Sequence, residues 1–231
     1  GKPFVVENIT GGGTVIAAQT LAKAAPDGHT LLIAPSGMLT TNVALFKQLP
    51  YDPVKDFTPV AHYVEIAFVL VVNPALPIRS VADLVKLAKE KPGSLSYSST
   101  GVGQVPHLAG EIFSRAAGIE LSHVPYRGAA DALRDVVAGH VSMTFADPSV
   151  AAQLINEGKL RAIGVSSKTR LDIMPDIPPL ADLGVPGFEA TSWHMLLAPA
   201  TTPRTVTQKI QDEWMRVINA PDLREQLAKM S

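Results

Sequence analysis

Residues 95–165 read LSYSSTGVGQVPHLAGEIFSRAAGIELSHVPYRGAADALRDVVAGHVSMTFADPSVAAQLINEGKLRAIGV, and the order of elements in this stretch decides the fold. Short apolar runs predict strands over 95–98, 121–124, 142–145 and 160–165. Between them, apolar residues recur at helical spacing and predict helices over 106–117, 129–138 and 148–157. Strands alternating with helices imply an α/β fold with parallel-dominated sheets and helices on both faces.

Working outward, the continuous apolar run over 66–72 predicts one buried strand closed by Asn73-Pro74. Ser80 then caps a helix with Val81, Leu84, Val85 and Ala88 on one face, ended by Pro92-Gly93. Three prolines between Leu49 and Pro59 predict an irregular connection. Further back, Val15, Ala18, Leu21, Ala22 and Ala25 mark a helix that Pro26-Asp27-Gly28 stops, and a strand over 30–34 empties into the loop Pro35-Ser36-Gly37. Beyond Ser166 a long Pro-, Asp- and Gly-rich connection leads to a strand over 192–198. Pro203 opens a last helix with Val206, Ile210, Trp214 and Val217 on one face.

The 231 residues are 46% hydrophobic and 18% charged, a folded composition long enough for one large or two small domains. Lys+Arg number 20 against Asp+Glu 21, so no net field gathers nucleic acid or anionic lipid. With no cysteine there is no disulfide, thiolate metal site or cysteine nucleophile, and an oxidising compartment is tolerated. The longest apolar runs fall well short of the roughly 20 residues of a membrane span. Gly1-Lys2-Pro3 opens with no charged, apolar leader, so the start reads as mid-domain, with any signal peptide removed or never present.

Chemistry concentrates at the predicted strand ends. Ser98 to Gln104 joins a strand to a helix, and Ser99, Thr100, Gly101 and Gln104 can line an anion cradle of backbone amides and hydroxyls at the helix N-terminus. An ordinary helix start explains the same residues. Gly11-Gly12-Gly13-Thr14 carries the same two readings, with a tight turn preferred, and neither glycine loop completes a nucleotide fingerprint. Ser36 offers a hydroxyl at a strand end. His107 and Glu111 lie one helical turn apart, a metal-ligand spacing with no third ligand nearby, so packing is preferred and no metal is expected. Tyr126 and Arg127 follow another strand, and Asp147 caps a helix or accepts from a ligand. There is no Gly-x-Ser-x-Gly elbow and no serine with histidine and acid in a recognisable context, so catalysis is not expected.

Longer phrases carry a family resemblance. Val5-Val6-Glu7-Asn8, the segments 22–32 (AKAAPDGHTLL) and 49–57 (LPYDPVKDF), Pro106-His107-Leu108-Ala109-Gly110-Glu111, His123-Val124-Pro125-Tyr126-Arg127-Gly128, Gly158-Lys159-Leu160-Arg161-Ala162, Ser192-Trp193 and Leu197-Ala198-Pro199-Ala200 occur in one order. Together they resemble the tripartite tricarboxylate transporter substrate-binding proteins, also called Bug proteins, over essentially the whole chain.

The resemblance implies a two-lobed periplasmic binding protein type II fold that holds a small carboxylate in the interlobe cleft for the transporter's membrane subunits. Residues 1–73 with 193–231 are the expected first lobe and 74–192 the second, with 66–72 and 192–197 as crossing strands. The candidate ligand contacts are Ser36, Ser99, Thr100, Gly101, Gln104, His107, Tyr126, Phe145, Asp147 and Trp193. A monomer without cofactor or nucleic-acid partner is expected. Family members grip the carboxylate with two loops, of which the second precedes Gly1, and they continue past Ser231, so the chain reads as truncated at both ends. Ala146 stands where an amino-group-binding Asp is common, and Thr14-Val15 where Gly-Asn is usual, which favours a plain carboxylate over an amino acid. An α/β enzyme acting on a small carboxylate and a ligand-sensing effector domain are the alternative readings.

Overall fold

The structure is a computed structural model that describes residues 3–223. The expectations about what precedes Gly1 and follows Ser231 lie outside those residues. The chain divides into two compact units, one of Gly1–Tyr63 with His194–Trp214 and the other of Val64–Trp193 with Met215–Ser231.

The first unit carries a short helix α1 (Val15–Ala22), strand β1 (Leu32–Pro35), two further short helices α2 (Ser36–Leu39) and α3 (Thr41–Leu45), and strand β2 (Phe57–Ala67). Strand β8 (Thr191–Pro199) lies between β1 and β2 in a three-stranded sheet and pairs antiparallel with β1, Leu32 opposite Leu197. Two places differ from the sequence reading. Pro59 lies inside β2 rather than in an irregular connection, because β2 is an edge strand and a missing N–H costs little there. Ser36 opens a one-turn helix rather than a loop, closed by Thr40, whose N–H and hydroxyl both donate to the Ser36 carbonyl. Asn42 donates to Gly13 O at 2.8 Å and Tyr51 Oη at 3.0 Å, which ties α3 to the glycine loop. Ile210 and Trp214 of α8 (Arg204–Ile218) pack on Val60, Ala61, Leu196 and Ala198.

The second unit is a five-stranded sheet in the order β5-β4-β6-β3-β7. Its strands are β3 (Val69–Val72), β4 (Ser96–Ser99), β5 (Ser122–Pro125), β6 (Met143–Ala146) and β7 (Arg161–Val165). Strand β4 pairs parallel with β5 and β6, while β3 pairs antiparallel with β6 and β7, so only β3 opposes the common direction. The apolar run over 66–72, expected as one strand, breaks at Phe68: its first part ends β2 and its last four residues form β3. All four side chains of β3 are fully buried, which is why that run shows no alternation.

Successive residues of a strand face opposite ways, and the core divides accordingly. Leu70, Val72, Tyr97, Met143 and Phe145 face α4 (Val81–Glu90) and α5 (Val105–Ala117). Val69, Val71, Ala146 and Val165 face α6 (Ala129–Val137) and α7 (Pro148–Asn156). The expected helices on both faces are therefore present. Helix α5 lies directly against the Tyr97 ring of β4 because residue 110 is glycine. A Cβ at Gly110 would sit 2.2 Å from Tyr97 Cε2 and 2.5 Å from its Cζ, far inside contact distance.

Two stability outcomes follow from these close fits. Gly110→Ala overpacks Tyr97 and lowers stability by about 1–3 kcal/mol, measured as a lower urea midpoint at unchanged slope. Thr14 holds a left-handed conformation, φ 75°, at the start of α1. Thr14→Gly relieves a strain of about 1–2 kcal/mol against an unfolded-state cost of about 0.4–1, so the midpoint rises slightly.

Candidate functional site

Strands β4, β5 and β6 run parallel, so their C-terminal ends bring Ser99, Pro125 and Ala146, with the residues that follow each, to one edge of the second unit's sheet. Open α/β sheets bind ligands at such edges. After Ser99 the chain turns through Thr100 to Gln104 into α5. The turn needs Gly101 at φ 130° and Gly103 at φ 82°, which a side chain would resist.

The hydrogen bonds of this loop decide which donors remain. Gly101 N–H donates to Ser99 Oγ at 3.2 Å, and Gly103 N–H donates to His107 Nδ1 at 3.1 Å. Gln104 N–H donates to Gly101 O at 3.2 Å, and the amides of His107 and Leu108 both donate to Gln104 O. Among the described residues, the amides of Thr100, Val102 and Val105 and the Thr100 hydroxyl hold no protein acceptor. Gln104 is the N-cap of α5 but makes no capping bond, and its Nε2 is buried without a partner. A buried donor of that kind costs about 1–3 kcal/mol until it meets an acceptor. Three amides, a hydroxyl and a carboxamide around the N-terminus of a 13-residue helix form a set of donors suited to an anion.

Behind the loop lies a layer of rings. His107 and His123 are 4.2 Å apart, and His123 is 4.9 Å from Tyr97. Tyr97 Oη donates to Glu111 Oε1 at 2.8 Å. Burial pushes the His123 imidazole down to about 4, with neighbouring His107 adding to the shift and Glu111 opposing it. Burial lowers His107 as well, against the pull of Glu111, and raises the Tyr97 phenol, helped by its bond to Glu111. Both imidazoles are therefore neutral at pH 7. Glu111 serves Tyr97 and His107 serves Gly103, so the metal-ligand spacing is used for polar satisfaction.

Ser99 Oγ lies 2.6 Å from His123 Nε2, a pairing absent from the sequence reading. The distance suits an activated nucleophile. Ser99 is only 1% exposed, however, so a carbonyl carbon has no access to its Oγ. The pair arises from strand register, Tyr97 opposite His123 and Ser99 opposite Pro125, which no local pattern announces.

Ser99, Gly101, Gln104 and His107 are thus linked by hydrogen bonds, with Thr100 in the same loop. Tyr126 N–H donates to Ser99 O at 2.9 Å, which brings its backbone against the loop. Its hydroxyl donates to Asp135 Oδ2 at 2.6 Å, and that bond, more than burial, pushes the phenol up to about 12. Asp147 caps α7, its Oδ1 accepting from Ser149 N at 2.9 Å and Ser149 Oγ at 2.7 Å. Phe145 packs in the core against Phe113 and Phe188 with 2% exposure. Trp193 is half-buried in β8, and Ser36 belongs to the first unit.

Residues 1–231 match the profile of the tripartite tricarboxylate transporter family receptor. A curated protein from the tcbD-tcbE intergenic region of Pseudomonas sp. (strain P51) is 38% identical over 231 residues, covering all of this chain and 68% of the relative. The chain spans about two thirds of the length of the curated relatives it matches. Among solved structures, R. palustris Rpa4515 with adipate superposes with a TM-score of 0.94 at 32% identity, covering 98% of this chain and 76% of that one. MatC from Rhodopseudomonas palustris with bound malate superposes with a TM-score of 0.87 at 31% identity, covering 95% and 75%.

Both imidazoles titrate below the ordinary 6.5, so between that value and about 4 the unfolded chain binds more protons than the folded one. Their contribution to stability is complete above about pH 6.5 and is lost as pH falls through the folded values. Melting followed by circular dichroism should show the midpoint falling between pH 6.5 and 4.5, and His123→Phe should make that fall shallower.

Proposed function

Because the chain belongs to the tripartite tricarboxylate transporter receptor family, we propose that it is a periplasmic solute-binding protein that captures a small carboxylate on the loop ahead of α5 and delivers it to the membrane subunits of such a transporter. The observation that carries the site is the set of unpartnered donors: the amides of Thr100, Val102 and Val105 and the buried Nε2 of Gln104. A carboxylate accepts three or four hydrogen bonds, and each charge-assisted bond contributes about 1.5–3 kcal/mol against the lost hydration. The Thr100 hydroxyl adds a donor, and Tyr126, Asp147 and Trp193 of the same unit remain candidates for the rest of the solute. Phe145 acts through packing beneath the site.

The adipate and malate held by the two solved relatives support a dicarboxylate or hydroxycarboxylate as the solute. Capture is reversible and needs no covalent chemistry, in keeping with the burial of Ser99. Among the described residues no helix is long and apolar enough to cross a membrane.

A thermal-shift series with adipate, malate and monocarboxylates tests this reading. A solute at 100 times its Kd stabilises the folded state by about 2.7 kcal/mol. Gln104→Ala should change the unliganded midpoint by only a few degrees, since relief of the unpartnered donor is offset by the packing lost on truncation, and weaken the best solute roughly tenfold. No shift with any carboxylate, or turnover of one, would sink the proposal.

A further inference from the structure

We propose that His123 is a positioning residue for the carboxylate loop, acting through Ser99 to keep the Gly101 amide turned back and the Thr100, Val102 and Val105 amides open. The inference rests on the loop being the solute site. Its basis is the geometry around one hydroxyl. Ser99 Oγ touches three groups: His123 Nε2 at 2.6 Å, Gly101 O at 3.2 Å and Gly101 N at 3.2 Å. The hydroxyl has one proton to give. When a neutral His123 accepts it at Nε2, the oxygen lone pairs are left for Gly101 N–H, and Gly101 O is left for its turn-closing bond from Gln104 N–H.

Without His123 the Ser99 proton goes to Gly101 O, which then accepts from Ser99 Oγ as well as from Gln104 N–H, and the hydroxyl is drawn toward that carbonyl and away from the Gly101 amide it holds. His107 performs the companion task by accepting from Gly103 N–H. The two histidines therefore tie back the amides of Gly101 and Gly103, one through a serine and one directly, and those of Thr100, Val102 and Val105 stay available. The groups facing His123 are Tyr97, His107, Ser99 and, through its charge, Glu111. Burial and neighbouring His107 hold the ring neutral, so it can serve as acceptor at physiological pH.

His123→Phe keeps a ring between Tyr97 and His107 while removing the acceptor. His123→Gln places a side-chain amide where Nε2 stands. Amide hydrogen exchange of the unliganded protein reads the loop itself. His123→Phe should speed exchange at Gly101 and Gly103 at least tenfold, leave the interior amides of α5 unchanged and weaken the best solute roughly tenfold. His123→Gln should restore most of both. In a cycle with Ser99→Ala, the two losses in affinity should be non-additive, because both variants break one chain.

Wild-type exchange at Gly101 in His123→Phe overturns the proposal whether or not a solute is found. A loss that His123→Gln fails to rescue, or that spreads through α5, also overturns it, since either result makes the ring a packing element only. If the wild-type protein bound no carboxylate, the functional reading would fall, and the exchange measurement would still decide whether His123 orders the loop.

Discussion

Helix α5 rests directly on the ring of Tyr97 from strand β4 because residue 110 has no side chain, and the loop ahead of the helix depends on that approach. The helix rests on the ring of Tyr97 at a distance that a Cβ would make impossible. Seated there, it sends Phe113 into the cluster with Phe145 and Phe188 and brings Glu111 to the Tyr97 hydroxyl. It also fixes the helix N-terminus just beyond the end of β4. The five residues from Thr100 to Gln104 must then span two anchored points, so their turn and its two left-handed glycines follow from packing below them.

The electrostatics of this corner are those of oriented dipoles rather than of a fixed cation. Burial keeps His107 and His123 neutral, and Arg115 and Arg127, the guanidiniums that follow in sequence, are exposed to solvent. An anion received here exchanges water for backbone amides already held in place. It also avoids the several-kcal/mol desolvation penalty that a buried charge pair would carry. The same packing leaves a buried carboxamide unpartnered at Gln104, a local cost that the two well-filled faces of the sheet can carry.

Several side chains of the second unit are engaged by nearby groups. The Asp147 carboxylate caps α7, its Oδ1 accepting from Ser149 N–H and Oγ two residues away. The Tyr126 hydroxyl donates to Asp135 on α6. Phe145 alternates with Thr144 along β6, and that parity turns it toward the core under α5. Pro59, a sign of irregular chain by composition, is accepted because β2 lies at an edge.

The amino-acid sequence by itself determined the alternation of strands and helices, the strand-to-helix position of the Ser98–Gln104 loop, and the family resemblance. Each of these is written in neighbours a few residues apart, through apolar period, caps and glycine. Only the tertiary structure decided which of the loop's amides stay open. That choice depends on Ser99 meeting a histidine 24 residues away and on the registration of two parallel strands. Register is a property of packing between elements, and no run of sequence contains it.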